Sequence, residues 1–384
     1  MTPSPFPTIT EIKTCLVGGE GNGADYHSQA RGHWIIDSPI SNPMSHYSKF
    51  ARLMARLASL LALADQPPAG SYTPTSKRFL LGSDPRDTNM LWDQMYRASL
   101  FYGRKGLAII AISCIDLAIW DLLGKIRGEP VYKLIGGKTK EYLSLYSTGP
   151  LPEEAKKLGF WGGKVPLPYG PYEPGSLQMN FEFLRKHRTA VGPDYPIMVD
   201  CYMSLNVQYA IELATMCLPL NIEWWEEVLH PDDEDGFKRL KSALPHIKWT
   251  TGEHEYTRYG FRKLLETRSI DILQPDVTWA GGLTELLKIS AHAAAYDIPV
   301  VPHASSAYSY HFALSQTNTP FAEIVCNAPD GKSVQPPFGN LFLDEPLPKD
   351  GRIAAEALDK PGFGLTLNPE VNLIEFKEDS WEFK

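Results

Sequence analysis

Six short apolar runs, each ending on or just before an ionisable side chain, limit what this chain can fold into more than any other feature. They close on Asp200 (IMVD), Glu226 (IEWWEE), Glu253 (TTGE), Asp276 (LQPD), His303 (VVPH) and Glu323 (FAE), at intervals of 20 to 27 residues. With YLSLYS at 142–147 they read as strands, and the stretches between them carry helical spacing. In VQYAIELATMCL, Ala210, Leu213, Ala214 and Cys217 share one face; in LTELLKISAHAAA, Leu283, Leu286, Leu287 and Ser290 do the same. Strand and helix in alternation mean parallel βα units. Seven or so such units over residues 141–325 are too many for a compact open sheet, so the expectation is a closed α/β barrel. A barrel of about 250 residues repeats roughly every 31 residues, less with short loops, and keeps its active site at the C-terminal strand ends. The six ionisable residues fall there, one per unit.

Their identities narrow the chemistry. Asp200, Glu226 and Glu253 come from consecutive strands, and three oxygen donors without a thiolate suit a hard cation such as Mg²⁺. One strand-end acid is commonly half of a structural ion pair; three in succession favour a metal. Glu226 is followed by Glu227, and spacing alone does not choose between them. His303 taken singly reads as a satisfied core residue. Beside Asp276, one strand earlier, and the acidic trio, it reads as a general base whose tautomer the carboxylate fixes. Glu323 is open between a hydrogen bond to a reacting carboxylate and pairing with a cation. A metal plus a base is the equipment for removing a proton next to a carboxylate, because the cation stabilises the enediolate.

A net charge of −8 excludes the basic surface that nucleic-acid binding needs. Five scattered cysteines (Cys15, Cys114, Cys201, Cys217, Cys326) without CxxC pairs suit reduced thiols, and MTPSPFPTITEIKT has no secretory pattern, so the cytosol is expected. LMARLASLLALA (53–64), read as the longest apolar-rich run, is too short to span a bilayer and carries Arg56, so no membrane partner is expected. In 107–135, Ile112, Ile115, Ile119 and Leu122 are spaced for one helical face, and Gly124 lies where that helix would weaken. The first hundred residues read as a smaller α+β domain.

The ligand pattern Asp200, Glu226, Glu253, the Asp276 and His303 pair, and ISCIDLAIWDLLGKIRGEPVYKLIGG together resemble the enolase superfamily, in its mandelate-racemase-like branch. GADYHSQ (23–29), LGFWGGKVP (158–166), GEH (252–254), VVPHASSAYSYH (300–311), TNTPFAE (317–323) and DKPGFG (359–364) narrow the resemblance to acid-sugar dehydratases of that branch. The resemblance implies a (β/α)7β modified TIM barrel (126–345), an N-terminal α+β capping domain (1–125) and a C-terminal segment (346–384) packed back on the cap. It implies one Mg²⁺ on Asp200, Glu226 and Glu253, and a small sugar acid as substrate, dehydrated to its 2-keto-3-deoxy product. His303 would abstract the C2 proton, Asp276 would support it, and Glu323 would stabilise the enediolate. His27, His254, Arg52 and Lys164 are the candidate substrate-binding residues, with Arg56 a second candidate for the family's lid arginine. A homo-oligomer is expected.

Two departures qualify this. Where many members carry Lys-x-Lys on the second strand, this chain has Lys164, Val165, Pro166, which disfavours a two-base racemase. Residues 51–76 do not resemble the family's strand hairpin, which keeps open a homologue with an incomplete, catalytically silent lid. A dehydratase for another acid sugar is the other alternative. A zinc hydrolase ranks low, because no HxH occurs on any expected strand.

Overall fold

The computed structural model describes residue 9 and residues 15–17, 79–326, 328, 330–371 and 373–375. His27, Arg52, Arg56 and the segment 51–76 lie outside the described residues. In chain order come strand β1 (Cys15–Val17) and helices α1 (Thr88–Ser99), α2 (Leu107–Arg127) and α3 (Val131–Leu134). The repeating part then runs β2 (Tyr142–Thr148), α4 (Pro152–Lys157), β3 (Gly162–Pro166), α5 (Ser176–Val191), β4 (Ile197–Asp200), α6 (Val207–Met216) and β5 (Trp224–Glu226). It continues with α7 (Glu234–Ala243), β6 (Trp249–Thr251), α8 (Thr257–Thr267), β7 (Ile272–Leu273), α9 (Gly282–Ala294), α10 (Ser306–Ser315) and β8 (Ala322–Val325). Strands β9 (Arg352–Ala354) and β10 (Leu373–Glu375) follow.

The parallel strands pair in the order β7-β6-β5-β4-β3-β2-β8, a curled sheet in which β2 joins the first half to the last. Val300 extends the curl by a parallel bridge to Leu273. Each expected strand is present except IPVVPH, which contributes only that bridge. Strand β3 has no apolar run of its own, because two glycines and a proline hide it. Those glycines serve packing: a Cβ on Gly163 would lie 2.8 Å from Pro152 Cα, and one on Gly162 would lie 3.0 Å from Met198 Cε.

Side chains alternate along the strands, as the pleat requires. Val165, Val199, Trp225 and Leu273 face the outer helices, where they pack with Leu184, Leu213, Leu240, Leu264 and Leu286. Tyr146, Met198, Trp224, Ile272 and Val301 form a separate cluster with Trp161 and Phe321. Trp224 stacks on Phe321 at 5.7 Å and meets Tyr146 edge-on at 5.1 Å. Two residues further along each strand stand Thr148, Asp200, Glu226, Gln274, His303 and Glu323. The same face of the sheet thus carries an aromatic floor with a polar layer one pleat above it.

Helix α2 runs past Gly124 to a left-handed Gly128, whose N–H reaches the carbonyls of Gly124 and Lys125. Gly124 is there for another reason: a Cβ would come within 2.6 Å of Gly362 Cα. Leu122, expected on the inner face, is exposed; Ile109, Ile112, Ile119 and Leu123 are buried instead. Among the described residues α2 is the one helix long and apolar enough to cross a membrane, which the 53–64 reading overlooked; 61% of its most apolar window is buried inside the protein. Together with α1, which carries Trp92, it is sewn to the start of α9. Trp92 donates to Gly281 O at 2.6 Å, Ser113 accepts from Gly281 N at 2.9 Å, and Asp116 Oδ2 accepts from Thr284 N at 2.9 Å. The C-terminal segment pairs with β2 through β9, approaches α2 at Gly362, and pairs with β1 through β10.

Candidate active site

The polar layer gathers at one end of the sheet because β4 and β5 are in register, setting Asp200 beside Glu226. Lys164, one strand earlier and 1% exposed, projects among the acids. Its ammonium contacts Glu226 Oε1, lies 2.9 Å from Glu323 Oε1 and 3.6 Å from Asp200 Oδ2. Glu226 Oε2 accepts from Trp224 Nε1 at 2.9 Å and from Gln274 Nε2 at 2.7 Å. The backbone sends the two adjacent glutamates in different directions. Glu227 takes φ +46° and turns away, where its carboxylate accepts from Thr251, from Gly252 N at 3.0 Å and contacts His254 Nδ1 at 2.9 Å.

Glu253 reaches the site by a different device. It lies beyond the end of β6, and Gly252 at φ +137° turns the chain before it. No other residue fits there easily, because a Cβ would meet Gln274 N at 3.1 Å and Phe261 at 3.0 Å. His303 Nδ1 then lies 3.2 Å from Glu253 Oε2 and 3.0 Å from Glu323 Oε2. One oxygen each of Glu226 and Glu253 and a ring nitrogen of His303 fall within 4.8 Å of one another. Asp200, the expected third oxygen ligand, stands on the Lys164 side of this group.

Left-handed residues without a glycine cluster at these strand ends: Tyr202 and Met203 after Asp200, Glu227 after Glu226, and Ala304, Ser305 and Ser306 after His303. Such conformations cost energy and persist only where surrounding contacts enforce them. Around His303 those contacts are visible. Ala304 N donates to Glu323 Oε2 at 2.9 Å and Ser305 Oγ to Asp276 Oδ1 at 2.7 Å.

The expected Asp276 and His303 dyad takes another form here. Asp276 Oδ1 accepts from Ser305 and from both the N–H and hydroxyl of Thr278, while the ring nitrogen Nδ1 faces Glu253 and Glu323. The two are joined through the backbone, His303 N donating to Pro275 O at 3.1 Å. Adjacent strand ends bring the residues together, but the imidazole follows the stronger negative field. Lys164, expected to bind substrate, is spent on three carboxylates. His254 is 27% exposed on its side chain and sits edge-on to Trp279 at 5.4 Å.

The electrostatics are those of too many acids for the cations present. Burial pushes Asp200 up to about 7 despite Lys164, and pushes Glu253 up to about 8 despite His303. Burial works the same way on Glu323, but Lys164 and His303 override it and hold that carboxyl well below its ordinary value. For His303 and Lys164 burial opposes the charge; Glu253 and Glu323 keep the imidazole protonated, and Glu226, Glu323 and Asp200 keep the ammonium so. Glu253 Oε2 is buried with no hydrogen-bond donor aligned on it. Such an oxygen, in a cluster rich in carboxylates and without a thiolate, fits a hard divalent cation.

Comparisons with known proteins agree with this architecture. Residues 153–371 match the enolase C-terminal domain-like family, and residues 76–136 match the mandelate racemase / muconate lactonizing enzyme N-terminal domain. The chain belongs to the enolase superfamily. It is 46% identical to an L-rhamnonate dehydratase of Saccharopolyspora erythraea, over 95% of this chain and 98% of that one. A solved structure of rhamnonate dehydratase from Gibberella zeae, complexed with Mg, is 56% identical with a TM-score of 0.85 and covers 97% of each chain. The 3,6-anhydro-D-galactonate cycloisomerase of Zobellia galactanivorans lies further off, at 29% identity and a TM-score of 0.70, over 83% of this chain and 86% of that one.

Within this superfamily member, sequence reasoning missed Thr148, Gln274, Ser305 and Thr278. Thr148 Oγ1 donates to Glu323 Oε1 at 2.5 Å, and Gln274 steadies Glu226. All four are neutral, and a search for ionisable strand ends passes over them. Counting two residues on from each floor position would have found Thr148 and Gln274.

Proposed function

We propose that the chain is a magnesium-dependent hydro-lyase that converts L-rhamnonate to 2-keto-3-deoxy-L-rhamnonate. The observation that carries this reading is the convergence of Asp200, Glu226, Glu253 and His303 at one end of the parallel sheet, in a chain so similar to two rhamnonate dehydratases. The segments quoted above, from GADYHSQ to DKPGFG, resemble L-rhamnonate dehydratase in particular. The complete molecule is read as a (β/α)7β barrel under a capping domain, with a cytosolic homo-oligomer as the working form.

Asp200, Glu226 and Glu253 would hold the ion. Magnesium, when bound, neutralises part of the acidic cluster and stabilises negative charge developing on the substrate carboxylate. His303, in its neutral form, takes the C2 proton and returns it to the C3 hydroxyl, which leaves as water from the same face. The resulting enol tautomerises to the 2-keto-3-deoxy acid. Asp276 supports the imidazole by holding the Ala304–Ser306 turn through Ser305. Glu323, between Lys164 and His303, is proposed to stabilise the enediolate. His254, with Trp279 behind it, is proposed to contact the substrate, as are His27 and Arg52.

The test is to supply Mg²⁺ and a panel of sugar acids and to assay 2-keto-3-deoxy products. L-rhamnonate should give the highest kcat/KM. A protein that binds Mg²⁺ yet forms product from no acid would overturn the reading.

A further inference from the structure

Lys164 is a fully enclosed ammonium with three carboxylate neighbours, on Asp200, Glu226 and Glu323. Burying an ammonium is costly unless it is paired, and here the pairing is threefold. Two of its partners, Asp200 and Glu226, are the acids read above as metal ligands. Pro166 occupies the position where a second lysine would stand on this strand, so β3 brings a single ammonium to the cluster. An ammonium and a divalent cation sharing the same carboxylates repel one another across a water-poor interior.

We infer that Lys164 is the protein's resident cation: it holds Asp200, Glu226 and Glu323 together before the metal arrives, and it sets the Mg²⁺ affinity below what the bare carboxylates would give. It is a positioning residue in this sense, acting through the carboxylates it gathers. Two opposite consequences follow from one charge. The metal-free chain depends on Lys164 for stability, and the metal-loaded chain is opposed by it, which keeps the ion exchangeable.

This inference rests on the assignment of Asp200 and Glu226 as ligands, and its test needs no turnover, so the two readings fail separately. Mg²⁺ alone is titrated calorimetrically into the full chain at about pH 8.5, where protons compete least for the carboxylates. Wild type is compared with Lys164→Met and Lys164→Gln, both neutral and unbranched. Thermal unfolding is followed in chelator and in excess Mg²⁺. Each neutral variant should bind Mg²⁺ at least tenfold more tightly. It should melt several degrees lower than wild type in chelator and recover most of that loss with Mg²⁺. A variant that folds only with Mg²⁺ counts for the inference. A folded variant with equal or weaker Mg²⁺ affinity, an unchanged melting temperature in chelator, or a wild type that binds no Mg²⁺ overturns it. Should Lys164→Met fold under neither condition, Lys164→Gln decides.

Discussion

The aromatic floor and the acidic layer above it lie on the same strands, two residues apart, and are built on opposite principles. Met198, Ile272 and Val301 are buried and satisfied by packing alone, and Trp224 adds one indole hydrogen bond to the layer above. Glu226, Asp200 and Gln274, one pleat up, are equally enclosed and His303 partly so, but this layer holds more negative charge than its cations balance. One layer is stable without help. The other is stable only with a partner, and that need is what makes it a site. The floor also removes water from below, so each charge in the upper layer acts at greater strength.

Substitutions can break this contrast from either side. The largest effect is expected at His303: His303→Asn should lower kcat by about 10³-fold, the scale of a general acid–base group. Truncating the floor should do the reverse. Trp224→Ala should cost about 3–5 kcal/mol in urea unfolding, because a large enclosed ring leaves a cavity and Glu226 loses its indole donor. Glu253→Gln falls between the two: Mg²⁺ affinity should drop by at least about 100-fold, while the melting temperature in chelator does not fall. Burial already pushes its carboxyl up to about 8, so it carries little charge near neutral pH and the neutral amide costs the metal-free fold little.

A fourth prediction sharpens the comparison away from the sheet, at the junction of α2 and α9. Asp116 is buried and pushed up to about 7, chiefly by burial, while its Oδ2 accepts from Thr284 N. Ionising it costs the folded state, so its contribution to stability is lost as the pH rises from its ordinary 3.8 toward 7. Asp116→Asn keeps an acceptor and removes the charge. Unfolding free energies across pH 4–8 should lose that slope, with a gain at about pH 8 of about 1 kcal/mol, the scale of one net hydrogen bond.

Much of this was legible in the sequence, and the gaps have physical causes. Asp200 and Glu226 stood out because each closes a β-branched or aromatic run. Strand β3 did not, since Gly162 and Gly163 were chosen for the space they leave beside Met198 and Pro152. Gly124 looked like a weak point of its helix but marks the close approach of Gly362. The direct contact of Asp276 with His303 was an inference from adjacency. Adjacency fixes which strand ends are neighbours, but the field of Glu253 and Glu323 decides where a ring turns. Lys164 resembled a substrate ligand by position; only its burial reveals what it holds.

The central claim is that three carboxylates ligate one ion while the imidazole stays free to move a proton. Anomalous diffraction from crystals soaked in Mn²⁺ tests it directly. A single peak bonded to oxygens of Asp200, Glu226 and Glu253, with the His303 ring beyond bonding distance, is the predicted result. A peak held by Glu226, Glu253 and a nitrogen of His303, which already lie close together among the described residues, would contradict it, because a ring bound to the ion has no lone pair left for the C2 proton.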